Sequence, residues 1–151
     1  DQLSSTSFFS RILNTGVTKV INVPSLTDSF STGIHGALVN MTLGNLDNWR
    51  RFAKSATEGD SYIAEIYADP LIQEKVVLTI LDGLIMQYAG GPFPDPNFLV
   101  ENLTLFASKD PVAIDATAAR LIEETRLAGK MPSIKSMTAY IEAAGLIGLG
   151  E

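Results

Sequence analysis

Three short apolar runs, separated by segments in which apolar residues recur at helical spacing, constrain the fold of this chain most strongly. The runs are residues 17–23 (VTKVINV), 75–81 (KVVLTIL) and 103–107 (LTLFA). Apolar runs of this length, rich in β-branched residues, are typical of strands that are covered on both faces. Their alternation with helices predicts an α/β fold with a mostly parallel sheet, helices on both of its faces and three layers.

The segments between these strands contain signals for loops and helix ends. The polar residues 25–32 predict a loop, which Gly33 and a helix follow. Asp110 before Pro111 predicts the start of a long helix that Gly129 ends, since Asp caps helices and Pro fits the first helical position. Residues 87–97 are rich in Gly and Pro, so we predict a loop there.

The composition indicates one globular domain over residues 1–151. The chain is 46% hydrophobic and 19% charged, which is ordinary for a folded domain, and its length is sufficient for one core. No apolar run approaches the ~20 residues that a membrane-spanning helix needs. We therefore expect no membrane span.

The residue counts exclude several classes of chemistry. With no cysteine, the chain cannot form a disulfide or ligate zinc or an iron–sulphur cluster through thiolates. Its single histidine, His35, excludes histidine-rich metal sites. A net charge of −6, with 11 basic against 17 acidic residues, argues against a nucleic-acid surface.

An aspartate follows each of the three predicted strands. Asp28, Asp82 and Asp110 would meet at one edge if the strands were parallel neighbours, because ligands bind at the carboxyl ends of strands in open α/β sheets. Such carboxylates are candidate ligands for Mg²⁺ or Ca²⁺. The alternative is structural: Asp110 as a helix cap and Asp28 in a turn.

Carboxylates at a strand edge also suit general acid or base catalysis, since burial can raise the pKa of an aspartate. Asp82, Asp110 and Asp115 are the catalytic candidates. Asp115 lies one turn into the predicted helix, where the positive end of the helix dipole favours a carboxylate. A structural role for Asp115 is the alternative.

Two features indicate an anion-binding site. The Ser/Thr-rich loop before Gly33 and Gly36 resembles an anion cradle at a helix N-terminus, with Ser29, Thr32 and Gly33 as candidate contacts. Arg50 and Arg51 suit an anionic small molecule. The alternative for the arginines is a solvated helix face.

Three segments, in order along the chain, resemble the DUF362 family, an uncharacterised bacterial family of domains of unknown function. They are residues 21–52 (INVPSLTDSFSTGIHGALVNMTLGNLDNWRRF), 63–84 (IAEIYADPLIQEKVVLTILDGL) and 105–122 (LFASKDPVAIDATAARLI). The resemblance implies a longer family domain whose N-terminal part is missing here. It also implies a bacterial source, an association with iron–sulphur or redox proteins, and export by a twin-arginine route.

The chain departs from the family pattern at its first loop. Thr27, Ser29 and Val39 stand where the family has Lys, His and Lys, whereas Asn40 matches the family and is a further ligand-binding candidate. Two hypotheses follow. The domain has a carboxylate-lined ligand or divalent-metal site at the strand edge, or it is a divergent, non-catalytic interaction or structural domain that partners an iron–sulphur or redox protein.

Overall fold

One long central strand organises the sheet in a computed structural model that describes residues 5–52 and 62–151. This strand, β4 (Val76–Gln87), pairs in parallel with β1 (Val20–Asn22) and then with β2 (Ser25–Ser29) along the same side. On its other side β4 pairs antiparallel with β5 (Leu99–Ser108). A short strand, β3 (Gly33–His35), pairs antiparallel with β2 and completes the five-stranded sheet.

The described residues form five α-helices, of which α1 and α4 contact the sheet and each other, and α2 and α5 pack on these two helices. Their bounds are Ala37–Thr42 for α1, Ile63–Tyr67 for α2, Pro70–Gln73 for α3, Pro111–Ala128 for α4 and Ala139–Leu146 for α5. The α/β class predicted from the sequence is confirmed. Among the described residues, none of the helices has the length and hydropathy needed to cross a membrane.

The longest helix begins where the sequence predicts. The side chain of Asp110 accepts a hydrogen bond from the Ala113 N–H at 2.8 Å, and Pro111 occupies the first turn. The hydrogen bond satisfies a helix-terminal N–H group that would otherwise lack a partner, and Pro111 has no N–H group to satisfy. Gly129 follows the last residue of α4, as predicted.

The two faces of the sheet differ in burial. Leu81 of β4 is completely buried and pairs with Phe106 of β5, which packs against the core. The next pair along, Asp82 and Leu105, is exposed. Burial thus alternates from one residue to the next, as in a sheet that packs against the core on one side only.

We call the exposed side the outer face of the sheet. It carries large apolar side chains that the described residues leave accessible: Ile21, Val23, Leu84, Ile85, Leu103 and Leu105. The predicted mostly parallel sheet flanked by helices is confirmed, and within residues 5–52 and 62–151 the helices α1 and α4 contact its inner side.

Two sequence-based expectations differ from the structure. The third strand was expected to be parallel, but β5 runs antiparallel to β4 because residues 88–98 join the two strands directly. A parallel connection would need a crossover of roughly a dozen residues or more. The predicted loop 25–32 contains strand β2 and the turn into β3, since polar residues there bond within the sheet.

The one-sided core predicts unequal costs for truncating two leucines. Leu81→Ala should lower the free energy of unfolding by about 2–5 kcal/mol, because it leaves a cavity in the core. Leu105→Ala, on the exposed side, should change it by less than about 0.5 kcal/mol. Urea denaturation of both variants checks this, and equal losses would contradict the assignment of the faces.

Candidate functional site

The structure separates the three strand-following aspartates. Asp28 lies near Gln87 at the end of β4, because the neighbouring Thr27 pairs with Gln87. Asp110 lies near the other end of β4, two residues after Ser108, which pairs with Thr79. At ~3.3 Å per residue, Thr79 and Gln87 lie roughly 26 Å apart along β4. The expectation of a shared edge is wrong because β5 is antiparallel, which displaces Asp110, and because β4 continues beyond Asp82 to Gln87. The described residues contain no group of three or more His, Asp or Glu side chains that could hold a metal ion.

Asp82 and Asp110 both make local structural contacts. Asp82 is exposed on the outer face, where its Oδ1 accepts a hydrogen bond from the Leu84 N–H at 3.1 Å. Besides capping α4, Asp110 accepts the Glu151 N–H on its Oδ2 at 2.8 Å. Neither of these two catalytic candidates lies beside Asp28.

The N-terminus of α1, which follows the loop predicted to bind an anion, holds a side chain of the same chain. The Ala37 and Leu38 N–H groups donate to Asp115 Oδ1 and Oδ2 at 2.5 Å and 3.0 Å. A Cβ atom on Gly36 would lie 2.1 Å from Asp115 Oδ1, so this close approach requires glycine. Asp115 therefore caps α1 from within α4.

Burial dominates the electrostatics of Asp115. The residue has no exposed surface, and this desolvation raises the pKa of its carboxyl to about 7 despite the two N–H groups, which lower it. The charge of Asp115 also affects the pKa of two buried tyrosines. Burial and then the charge of Asp115 raise the pKa of both Tyr67 and Tyr140.

A cavity lies at the carboxyl ends of β2 and β4, next to Asp28. Its volume is about 410 Å³. We call it the Asp28 cavity. It is lined by Asp28, Ser29, Phe30, Ala89, Gly90, Gly91, Phe98, Arg126, Met131, Ile134 and Met137. The predicted Gly/Pro-rich loop thus supplies part of the wall, at the sheet edge where α/β folds bind ligands.

Asp28 is a buried carboxylate with partners on both oxygens. Its Oδ1 accepts the Gly91 N–H at 2.8 Å, and its Oδ2 lies 3.5 Å from Arg126 Nη1. Burial raises the pKa of the Asp28 carboxyl, while the Gly91 N–H and the charge of Arg126 act in the opposite direction. A Cβ atom on Gly91 would lie 2.1 Å from the Asp28 carbonyl oxygen, so glycine is needed there.

Arg126, in the last turn of α4, is the cavity residue that the sequence analysis missed. Its Nε donates to the Pro132 carbonyl at 2.9 Å and its Nη1 to the Tyr88 carbonyl at 2.8 Å. The signal was present in the sequence: Ala118, Ile122 and Arg126 recur every fourth residue and are all buried. An arginine on an apolar helical stripe needs a partner inside the fold.

The candidate ligand-binding residues of the β2–β3 turn form contacts within the turn. Ser29 lines the Asp28 cavity, and its Oγ accepts the Ser31 and Thr32 N–H groups at 3.3 Å. Thr32 Oγ1 donates to the Ile34 carbonyl at 2.9 Å. Gly33 adopts a φ of 76°, a left-handed conformation that favours glycine.

The other candidates lie outside this cavity. Asn40 Nδ2 donates to Asn22 Oδ1 at 2.7 Å, in a polar network that joins α1 to β1. The Arg50 guanidinium lies 5.6 Å from the centre of the Trp49 ring, and that of Arg51 lies next to Phe52. Neither arginine lines the Asp28 cavity.

Comparison with known proteins assigns the family. A family model described as "Domain of unknown function (DUF362)" matches residues 3–120, which is more than half of the chain. The chain belongs to the DUF362 family. The DUF362 match includes Asp28, Gly91 and Asp115, and it ends within α4 before Arg126. No curated protein and no solved structure matches the chain.

The buried carboxyl of Asp115 predicts a pH-dependent stability. Its pKa is raised in the folded state, so the stabilisation is complete below the unfolded pKa near 3.8 and is lost as the pH rises through about 7. The loss is on the order of 4 kcal/mol. Urea unfolding between pH 4 and pH 8 should show this fall, and Asp115→Asn should lack it.

Ala116→Gly is the matched control, because Ala116 is exposed on the same helix. It should cost about 1 kcal/mol at every pH and keep the wild-type pH dependence. If Asp115→Asn retains the full pH dependence, Asp115 is not its source.

Proposed function

We propose that this DUF362 domain binds a small organic ligand in the Asp28 cavity. One observation carries the proposal: the carboxylate of Asp28 and the guanidinium of Arg126 are both largely buried in the wall of one cavity at the carboxyl ends of parallel strands. Its volume of about 410 Å³ falls within the range of small-molecule sites, roughly 300–1,000 Å³.

The lining favours a ligand with an apolar body. Aromatic side chains come from Phe30 and Phe98, and methionines from Met131 and Met137. Methionine adapts to irregular shapes, and aromatic rings give a large contact area. Such a wall around a few polar groups is typical of sites for small organic molecules.

The polar pair favours a ligand without net charge. Asp28 and Arg126 together are neutral, and a net charge added to a buried, balanced site would remain uncompensated. We therefore infer a neutral or zwitterionic ligand rather than the anionic molecule expected from the sequence. Asp28 is the one carboxylate among the lining residues that the structure describes, and Arg126 balances its charge, which disfavours a divalent cation there.

Three probes with the same phenyl group test this inference. L-Phenylalanine is a zwitterion, phenylacetate an anion and phenethylamine a cation at pH 7. Ligand-observed NMR with the full chain should show L-phenylalanine binding at least about tenfold more tightly than either ion, a difference of roughly 1.4 kcal/mol. Equal binding of all three, or no binding, would contradict the proposal.

Variants in the Asp28 cavity and on the outer face test whether L-phenylalanine binds in the cavity. Phe30→Ser should weaken L-phenylalanine binding without unfolding the chain, since the Phe30 side chain is 71% exposed at the cavity. Asp28→Asn should also weaken it, by about 1.5–3 kcal/mol if the carboxylate accepts a hydrogen bond from the ligand. Asp82→Asn, on the outer face, is the control and should leave the affinity unchanged.

A further inference from the structure

The outer face of the sheet carries a second feature, which is independent of the Asp28 cavity. Its apolar residues lie on three strands: Ile21 of β1 pairs with Leu78 of β4, and Leu105 of β5 pairs with Asp82 of β4. The exposed fraction of these apolar residues is lowest for Leu84, at 45%, and highest for Leu103, at 73%. Soluble domains rarely expose an apolar area that spans several strands unless it binds something.

The backbone holds one of these leucines in an unusual conformation. Leu103 has a φ of 52°, in the left-handed region, and its side chain is 73% exposed. β5 has an extra residue here relative to β4, and Asn102 Nδ2 secures this bulge by donating to the Gly83 carbonyl at 2.9 Å. Strained residues held in place by their neighbours are concentrated at binding sites.

The pairing of the sheet indicates what covers this face. All-parallel sheets usually carry helices on both faces, whereas an antiparallel pair can leave one face open. In this mixed sheet β4 pairs in parallel with β1 and β2, and α1 and α4 contact its inner face. From Leu78 to Ile85 the face extends roughly 23 Å at ~3.3 Å per residue. A helix of about 16 residues, at ~1.5 Å per residue, matches that length.

The charges on the face define the chemistry of such a helix. Asp82 is exposed in the middle of the face, and the exposed Glu101 pairs with Ile85. Neither carboxylate forms an ion pair within residues 5–52 and 62–151. A second copy of this chain would bring the acidic groups of two outer faces together, whereas basic residues would complement them.

We propose that the outer face is a docking surface for an amphipathic helix of a partner protein. The helix has an apolar stripe, which packs on Leu84, Leu103 and Leu105, flanked by Lys or Arg residues that meet Asp82 and Glu101. The face thereby acts as an interaction surface whose selectivity depends on charge.

Two synthetic peptides of 16 residues test this docking surface. Both are helix-forming and carry leucines at positions i, i+3, i+4 and i+7, with lysines flanking the stripe in one peptide and glutamates in the other. Fluorescence anisotropy with the full chain should show the lysine peptide binding at least about tenfold more tightly. Asp82→Lys should reduce or reverse this preference.

Matched variants separate the face from the rest of the surface. Leu105→Ser should weaken binding of the lysine peptide at least about tenfold without changing the thermal unfolding temperature, because Leu105 is exposed. Leu146→Ser removes a leucine on α5 that is also exposed and should leave binding unchanged. Equal binding of both peptides, no binding, or an unchanged affinity in Leu105→Ser would overturn the proposal. So would a dimer in light scattering that Leu105→Ser makes monomeric, because the occupant would then be a second copy.

Discussion

The buried contact between Asp115 and the start of α1 connects the two halves of this domain. The carboxylate of Asp115 accepts the Ala37 and Leu38 N–H groups, so it joins the β1–β2–β3 segment to the helix that follows β5. These N–H groups belong to a helix terminus and have no partner within α1. Because the contact has no access to water, the fold depends on Asp115 to satisfy them.

Helix α4 also carries Arg126, the arginine of the candidate ligand site. From Asp115 to Arg126, α4 advances about 16 Å at ~1.5 Å per residue. Its first turns are held by α1, and its last turn places Arg126 next to Asp28 and the Tyr88 carbonyl. Glu123 secures the segment after α4 by accepting the Ser133 hydroxyl at 2.6 Å and the Ile134 N–H at 2.8 Å. The cavity wall is therefore built from residues distant in sequence.

Local signals in the sequence predicted the local structure well. The apolar runs marked β1, β4 and β5, and Asp110 with Pro111 marked the start of α4, because these features act within a few residues. The direction of β5 was not predicted, since it depends on residues 88–98 acting as a direct connection. Strand β2 was missed because its polar residues are buried by neighbours, as the contact of Asp28 with Gly91 illustrates.

The candidate site combines residues that are far apart in the sequence. Asp28 was singled out by its place after a strand, but its partner Arg126 is far along the chain, and sequence spacing does not reveal such a pair. Likewise, the glycines and hydroxyls before α1 predicted an external anion, whereas the N-terminus of α1 binds Asp115 of the chain itself. The family has no established activity from which to supply these contacts, so the geometry carries the functional proposals.

Asp115 is a buried structural carboxyl that joins α4 to α1. The most direct measurement is an NMR titration of the Asp115 side-chain carboxyl carbon in the folded chain. The structure predicts a midpoint near pH 7, accompanied by changes at the Ala37 and Leu38 amides. A midpoint near 4, as for a solvated aspartate, with no response at these amides, would contradict it.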